Sequence, residues 1–375
     1  MNSPPPEILL ITRPLTPPWD EASKNLAYAI AKDMTDFKFH ILVGKYDATL
    51  PKHITQHLIY KGADWTTPQK MRLILNLKKI LKQNPGINSA HLLFAPTPLN
   101  TRILRSILKK FKLRVIQNLA CPPKKNTQKI LFGDQIVSYS NYTAQKTGLK
   151  NVTVIPPFID AEKFVSLSKK ARNELRQKWG IGKNDRVLLF PGEYSRLNAL
   201  GVLWKGYTGL ISNASCFMPH ASLKLFIACR IKNKRDLALE KKFKKLIEIS
   251  SHKDSVQFLG KIEKPEEMYQ IADLTVFPVK KMDGKFDFPF VLLESLACGT
   301  PILTSDVGAL PEIWRGKKES KKKYVFKINR EEDFAKKAGV ILEEERGSEK
   351  LSQFVRENFG KEEILEKYSD LYKNI

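Results

Sequence analysis

Two rounds of strand-helix alternation narrow what this chain can fold into more than any other feature of its sequence. In the first round the apolar runs EILLI (7–11), KFHILV (38–43), AHLLF (90–94), RVIQN (114–118), QIVSYS (135–140) and VTVI (152–155) read as buried strands. Between the first two, Leu26, Ala27, Ile30, Ala31 and Met34 recur at helical spacing. Thr67 and Pro68 look like the N-cap and first-turn proline of another helix, with Met71, Ile74 and Leu75 on one face. A further helical pattern covers residues 100–112, and Gly148 ends the helix between the last two strands. Parallel strands need crossover connections, which helices supply, so the pattern implies a parallel sheet covered on both faces.

After the prolines of VIPPFIDAEKF (154–164) the alternation begins again. The paired prolines fix an extended segment and a helical run over 166–179 ends at Gly180, which suits a linker between domains. Strands follow at RVLLF (186–190), LKLFIA (223–228), SVQFL (255–259), LTVF (274–277) and PILTS (301–305). A chain of 375 residues is long for one core. The expected organisation is therefore α/β, with two doubly wound, Rossmann-like domains at 1–160 and 161–350. A terminal helical stretch, Leu351 to Lys373 within 351–375, is expected to pack across both lobes. Ligands of such folds bind at the carboxyl ends of the strands, here in a cleft between lobes.

Composition excludes several classes. No charge-free apolar stretch approaches the roughly 18 residues of a bilayer span, and the opening MNSPPPE lacks the basic and apolar regions of a signal peptide, so a cytoplasmic protein is expected. Cys121, Cys216, Cys229 and Cys298 form no CxxC pair and have no flanking histidines, which argues for free thiols and against a zinc site. The net charge is +25, and residues 61–150 alone hold 17 basic against 2 acidic side chains. Lipid headgroups, nucleic acid or phosphorylated substrates suit such a block. The basic residues carry no recognisable nucleic-acid-binding motif and no interleaved aromatics for base stacking, so no specific nucleic-acid partner is expected. His91, alone inside an apolar strand, reads as a core residue, and no general base is assigned.

The most informative stretch is KFDFPFVLLESLACGTPILTSDVGALPEI, residues 285–313. Pro289 would open a helix carrying Val291, Leu292, Glu294, Ser295 and Ala297, closed by Gly299. Free backbone N–H groups at such a helix start attract phosphate oxygens. A carboxylate on that helix, Glu294, is placed to accept both hydroxyls of a ribose; the alternative is an ordinary exposed glutamate.

This stretch strongly resembles the carboxyl-terminal motif of the GT-B glycosyltransferases grouped as family 4. GDQIVSYSNYTAQKTG followed by VTVIPPFIDAEKF is similar to that family's interdomain passage, and VQFLGKI to its base-binding strand end. The resemblance implies a GT-B fold and a retaining, metal-independent transfer of sugar from a UDP- or GDP-sugar to a glycan or lipid-linked acceptor, as in polysaccharide biosynthesis. No cofactor is implied beyond the nucleotide sugar itself. By the same resemblance Glu294 binds the ribose, Gly260, Lys261 and Ile262 line the base, and the backbone of Phe288, Pro289, Phe290 and Val291 meets the phosphates and sugar. Cations must neutralise the leaving diphosphate, and FPGEYSRLNALGVLWKG (190–206) offers Arg196 and Lys205 where the family has an Arg and then Lys-Gly.

The chain also departs from that pattern. Glu193 follows the glycine where Arg is common, and Phe286 occupies the family's first acidic position, eight residues before Glu294. Asp287 and Lys285 flank Phe286 and either could take over, with Asp287 the expected replacement. The glycine-rich loop that often follows the first strand is replaced by TRPLTPPWDEASKN, so Asp20, Ser23, Lys24 and Asn25 would make the acceptor-side contacts. Two alternatives stay open, a nucleotide-sugar epimerase or a catalytically impaired nucleotide-sugar binder, with a basic nucleic-acid-binding protein a third and less favoured one. An anionic membrane surface is an expected partner of residues 61–150. There, Ile103, Leu104, Ile107, Leu108 and Phe111 form a stripe beside Arg102, Arg105, Lys109, Lys110 and Lys112, and Lys78, Lys79 and Lys82 add to the charge.

Overall fold

A computed structural model of the protein describes residues 5–17, 21–94, 97–123, 130–217, 222–344 and 348–374. The chain forms two compact units, one of residues 1–158 with 362–375 and the other of residues 159–361.

The first unit runs β1 (Glu7–Ile11), α1 (Ala22–Asp33), β2 (Lys38–Val43), β3 (Ile54–Leu58), α2 (Thr67–Gln83), β4 (Ile87–Leu92), α3 (Pro98–Lys110), β5 (Arg114–Leu119), β6 (Gln135–Ser138), α4 (Asn141–Thr147) and β7 (Val152–Val154). Its strands form one parallel sheet in the order β3-β2-β1-β4-β5-β6-β7. The order reverses direction between β1 and β4, where a doubly wound sheet opens a crevice at its carboxyl edge.

Leu73, Leu77, Ile80 and Leu81 of α2, with Leu104, Ile107 and Leu108 of α3, are buried over Leu9, Ile11, Leu42 and Leu92 of the sheet. Burial of each such side chain is worth about 1.5–3 kcal/mol. The face of α2 expected from Met71, Ile74 and Leu75 is therefore corrected. Met71 and Leu75 are 52% and 70% exposed, because the stripe from Leu73 to Leu81 offers more apolar area at helical spacing and wins the sheet. The α3 stripe is inward as well, leaving Arg102, Arg105, Lys109, Lys110 and Lys112 on the exposed side.

The second unit runs α5 (Lys169–Lys178), β8 (Asp185–Phe190), α6 (Leu200–Phe217), β9 (Ser222–Ile227), α7 (Lys234–Glu248), β10 (Val256–Phe258), α8 (Pro265–Ile271), β11 (Leu274–Phe277), α9 (Phe290–Ala297), β12 (Ile302–Ser305), α10 (Lys318–Tyr324), β13 (Val325–Phe326), α11 (Glu331–Glu343) and α12 (Ser348–Phe359). Its parallel sheet has the order β10-β9-β8-β11-β12-β13, reversing between β8 and β11. The GT-B class expected from the sequence is thus the fold observed, with two Rossmann-like units of matching strand order.

The final helical stretch is two helices. α12 ends before Gly360, and α13 (Lys361–Lys373) belongs almost wholly to the first unit. There Tyr368 and Tyr372 reach a buried polar cluster. His91 Nδ1 lies 2.6 Å from the Tyr372 hydroxyl and Nε2 lies 2.8 Å from Asn118 Oδ1. Asn118 Nδ2 donates to Tyr368 at 2.7 Å and to Tyr139 at 3.2 Å. Burial pushes the His91 pKa down to about 4. His91 is the core residue expected.

Candidate functional site

The carboxyl edge of the second unit's sheet carries a cluster of charged side chains. After β8 the chain turns at Gly192, where an added Cβ would lie 2.1 Å from the Phe190 ring, so only glycine lets the backbone pass and present Glu193. After β9 comes Lys232, and after β11 a loop carries Lys285 and leads into α9. The three meet. Glu193 Oε1 accepts from Lys232 Nζ at 2.6 Å and from Lys285 Nζ at 2.9 Å, and Oε2 faces Arg196 Nε at 3.5 Å. Lys280 N donates to the Leu197 carbonyl at 3.0 Å and Arg196 Nη1 lies 3.5 Å from the Gly284 carbonyl, so the loops after β8 and β11 are also joined through the backbone. These are the two strands that flank the reversal point.

The electrostatics follow from that geometry. Burial raises the Glu193 carboxyl pKa, but the charges and hydrogen bonds of Lys285 and Lys232 outweigh it and hold the pKa at about 2. Burial lowers the Lys285 pKa, and Glu193 opposes the fall without cancelling it. Three cations surround one carboxylate, so the cluster carries net positive charge.

Helix α9 is held against the sheet from below. Ser295 Oγ lies 2.8 Å from Thr275 Oγ1 of β11 and 3.1 Å from the Thr300 carbonyl, and the Thr300 hydroxyl bonds the Tyr269 carbonyl. Gly299 closes the helix at φ 74°. This seat places Glu294 beside Tyr269, whose hydroxyl donates to Oε2 at 2.8 Å. Among the described residues Oε1 has no hydrogen-bond partner. Burial raises the Glu294 pKa to about 7 against the lowering effects of Tyr269 and Lys163, and Glu266 adds a further push upward.

The other anticipated residues fall as follows. Gly260 follows β10 at φ 64°, with Lys261 exposed and Ile262 half-buried after it. Phe288, Pro289, Phe290 and Val291 form the start of α9, whose first N–H groups have no intrahelical acceptor. Phe288 packs on Phe359 of α12, and Phe286 packs on Phe290 with ring centroids 5.3 Å apart. Asp287 is buried, 3% exposed. Lys205 lies on the exposed face of α6, one turn into the helix. Its neighbour Gly206 serves packing, since an added Cβ would meet the Phe334 ring of α11 at 2.2 Å. In the first unit Lys24 of α1 is buried, Ser23 and Asn25 are half-buried, and Asp20 lies outside the described residues. Lys232 and Tyr269 were missed by sequence reasoning. Nothing local marks either, because each is defined by a partner distant along the chain.

Comparison with known proteins assigns this architecture. Residues 171–358 match the model of the family described as glycosyl transferases group 1. The chain belongs to that family. Among curated members it is 21% identical over 230 residues to N-acetyl-alpha-D-glucosaminyl L-malate synthase of Bacillus anthracis, covering 60% of this chain and 54% of that protein. The chain spans about half or less of the length of the curated relatives it matches. Its fold is similar to that of a glycosyltransferase from Rickettsia africae, with a TM-score of 0.74 at 16% identity over 98% of both chains. It is also similar to that of HepE from Anabaena in complex with UDP and glucose, with a TM-score of 0.68 at 14% identity over 99% of this chain and 100% of that one. Within the group 1 family the matched region is the second unit, which holds Glu294 and the Glu193 cluster.

Among the described residues no helix is long and apolar enough to cross a membrane, and no group of three or more His, Cys, Asp or Glu side chains is arranged to hold a metal ion.

Proposed function

We propose that the protein is a retaining glycosyltransferase that takes its sugar from a UDP- or GDP-sugar and needs no divalent metal. One observation carries the reading. A single carboxyl edge of the second unit presents both a carboxylate with an open oxygen, Glu294, and a net-positive cluster built on Glu193. The first suits the paired hydroxyls of a ribose and the second a diphosphate. The UDP bound to HepE, a protein of similar fold, supports a nucleotide donor.

In the proposed reaction Glu294 and the backbone around Gly260 to Ile262 orient the nucleoside, and the start of α9 meets the phosphates. Arg196, Lys205, Lys232 and Lys285 stabilise the charge that grows on the leaving diphosphate. The departing phosphate oxygen takes the proton of the attacking acceptor hydroxyl as that hydroxyl bonds the anomeric carbon, on the face the leaving group vacates. No protein base is required.

Thermal shift of the purified protein against UDP- and GDP-sugars tests the donor. A ligand present at 100 times its dissociation constant stabilises by about 2.7 kcal/mol. Activity that persists in excess EDTA supports the metal-free mechanism, and loss restored by magnesium or manganese contradicts it. Donor epimerisation without transfer, or binding without turnover, would favour the two alternatives.

A second element of the reading is docking on an anionic membrane, with a lipid-linked or membrane-proximal acceptor. The exposed side of α2 carries Met71, Leu75, Lys78, Lys79 and Lys82 at helical spacing, and α3 beside it exposes Arg102, Arg105, Lys109 and Lys110. Each basic residue near an anionic surface contributes roughly 1 kcal/mol. Co-sedimentation with phosphatidylglycerol vesicles should occur at low salt and fall when Arg105, Lys109, Lys110 and Lys112 become Glu; a wild type that ignores such vesicles refutes the docking.

A further inference from the structure

We propose that Glu193 is a positioning residue, which holds Lys232 and Lys285 side by side so that they receive the donor diphosphate together. The proposal rests on the nucleotide-sugar reading of the site and adds to it a residue whose sign is opposite to the one expected there. A carboxylate beside a phosphate subsite looks counterproductive, since it repels the ligand. The geometry resolves the conflict. Both ammonium groups bind the same oxygen of Glu193, at 2.6 and 2.9 Å, and each ammonium has three donors. One donor from each is spent on Glu193, and two from each are left for phosphate oxygens. Without the carboxylate, two like charges would be crowded at the edge of a low-dielectric core, and the more buried amine would shed its proton.

The local charges bear this out. Lys285 is faced by Glu193, Lys232 and Arg196. Lys232 has its backbone N–H on Asp236 Oδ2 at 3.1 Å. The Cys229 thiol sits beneath the cluster with its pKa pushed up to about 12, chiefly by burial. Glu240 is occupied by Tyr194 at 3.1 Å and Lys244 at 3.2 Å. Of the surrounding carboxylates, Glu193 is the one whose oxygens contact Lys285 among the described residues. It also ties together loops from three strands, and Gly192 is what allows it to reach them.

The experiment measures UDP and GDP binding by calorimetry across pH for wild type and Glu193→Gln. Wild-type affinity should fall on the alkaline side as Lys285 loses its proton. In E193Q the amide preserves the packing and removes the charge. The dissociation constant near neutral pH should rise about tenfold, as for loss of charge-assisted hydrogen bonding. The alkaline limb should move down by about one pH unit or more, the effect of removing a neighbouring opposite charge. A role confined to stability would leave that limb in place. If E193Q does not fold, Glu193→Asp carries the same test, with a smaller shift in the same direction. Wild type that binds UDP or GDP, together with a variant of unchanged affinity and unmoved limb, overturns the role of Glu193 alone. Wild type that binds neither nucleotide overturns the donor reading and this inference together.

Discussion

The two sheets share one strand order, and each sets an ionisable side chain close to its reversal point, buried His91 in the first and half-buried Glu294 in the second, yet the two are bonded differently. In the first unit His91 of β4 has both ring nitrogens engaged, by Tyr372 and Asn118, and Asn118 is itself tied to Tyr368 and Tyr139. In the second unit Glu294, on the helix that follows β11, has one oxygen engaged by Tyr269 and the other, among the described residues, open. Burial displaces both pKa values, to about 4 and about 7. Displacement alone therefore does not mark a site. What separates the two is saturation: a polar group with every hydrogen-bonding position filled locks a core, and one with capacity to spare can accept a ligand.

The largest expected effect breaks the saturated side. His91→Leu leaves the Asn118 and Tyr372 partners buried and unmatched, and should cost about 3 kcal/mol of unfolding free energy in urea titration. Nucleotide binding should not change. An unfolded histidine protonates near pH 6.5 and folded His91 near 4, so its contribution is whole above 6.5 and is lost as pH falls towards 4. The variant should lose that share of the acid slope.

Next is Glu294→Ala, which should weaken UDP- or GDP-sugar binding by about 1.5–3 kcal/mol while the fold persists. Unchanged affinity would dissolve the contrast with His91. The pH dependence has the opposite sign. A folded carboxyl that holds its proton to about 7, against 4.5 in the unfolded chain, contributes stability that is complete below 4.5 and disappears as pH rises through 7. Stability curves of E294Q should lack that segment.

The smallest effect, Tyr269→Phe, tests whether the one filled position of Glu294 orients it. Loss of this hydrogen bond should cost about 1 kcal/mol in donor binding, measured by calorimetry, and should raise the Glu294 pKa further. An unaltered affinity would make Tyr269 structural only.

Much of the fold was legible because parallel strands buried on both faces announce themselves as apolar runs. EILLI, KFHILV and LTVF coincide with β1, β2 and β11. The strand β3 did not announce itself, since ITQHL at the sheet edge is apolar only at its ends and borders a single neighbour. The inward face of α2 was misjudged because Met71 and Leu75 make a plausible stripe until the competing run from Leu73 to Leu81 is set against a real sheet. In the site, Glu294 could be read from its motif, but the Glu193 cluster could not. Its contacts join residues 39 and 92 positions apart, and only the strand order brings them together.

The placement of α13 bears on the order in which the molecule can be completed. Residues 1–158 emerge from the ribosome first, but their core lacks Tyr368 and Tyr372 until everything in residues 159–361 has been synthesised. During that interval His91 and Asn118 face a gap where their hydroxyl partners will later sit. The second unit, continuous in sequence, can close as soon as its own last helix is out. The half of the molecule that is made first is thus the half that is finished last, and a ribosome stalled short of residue 368 would release the second unit already folded and the first still waiting for its final helix.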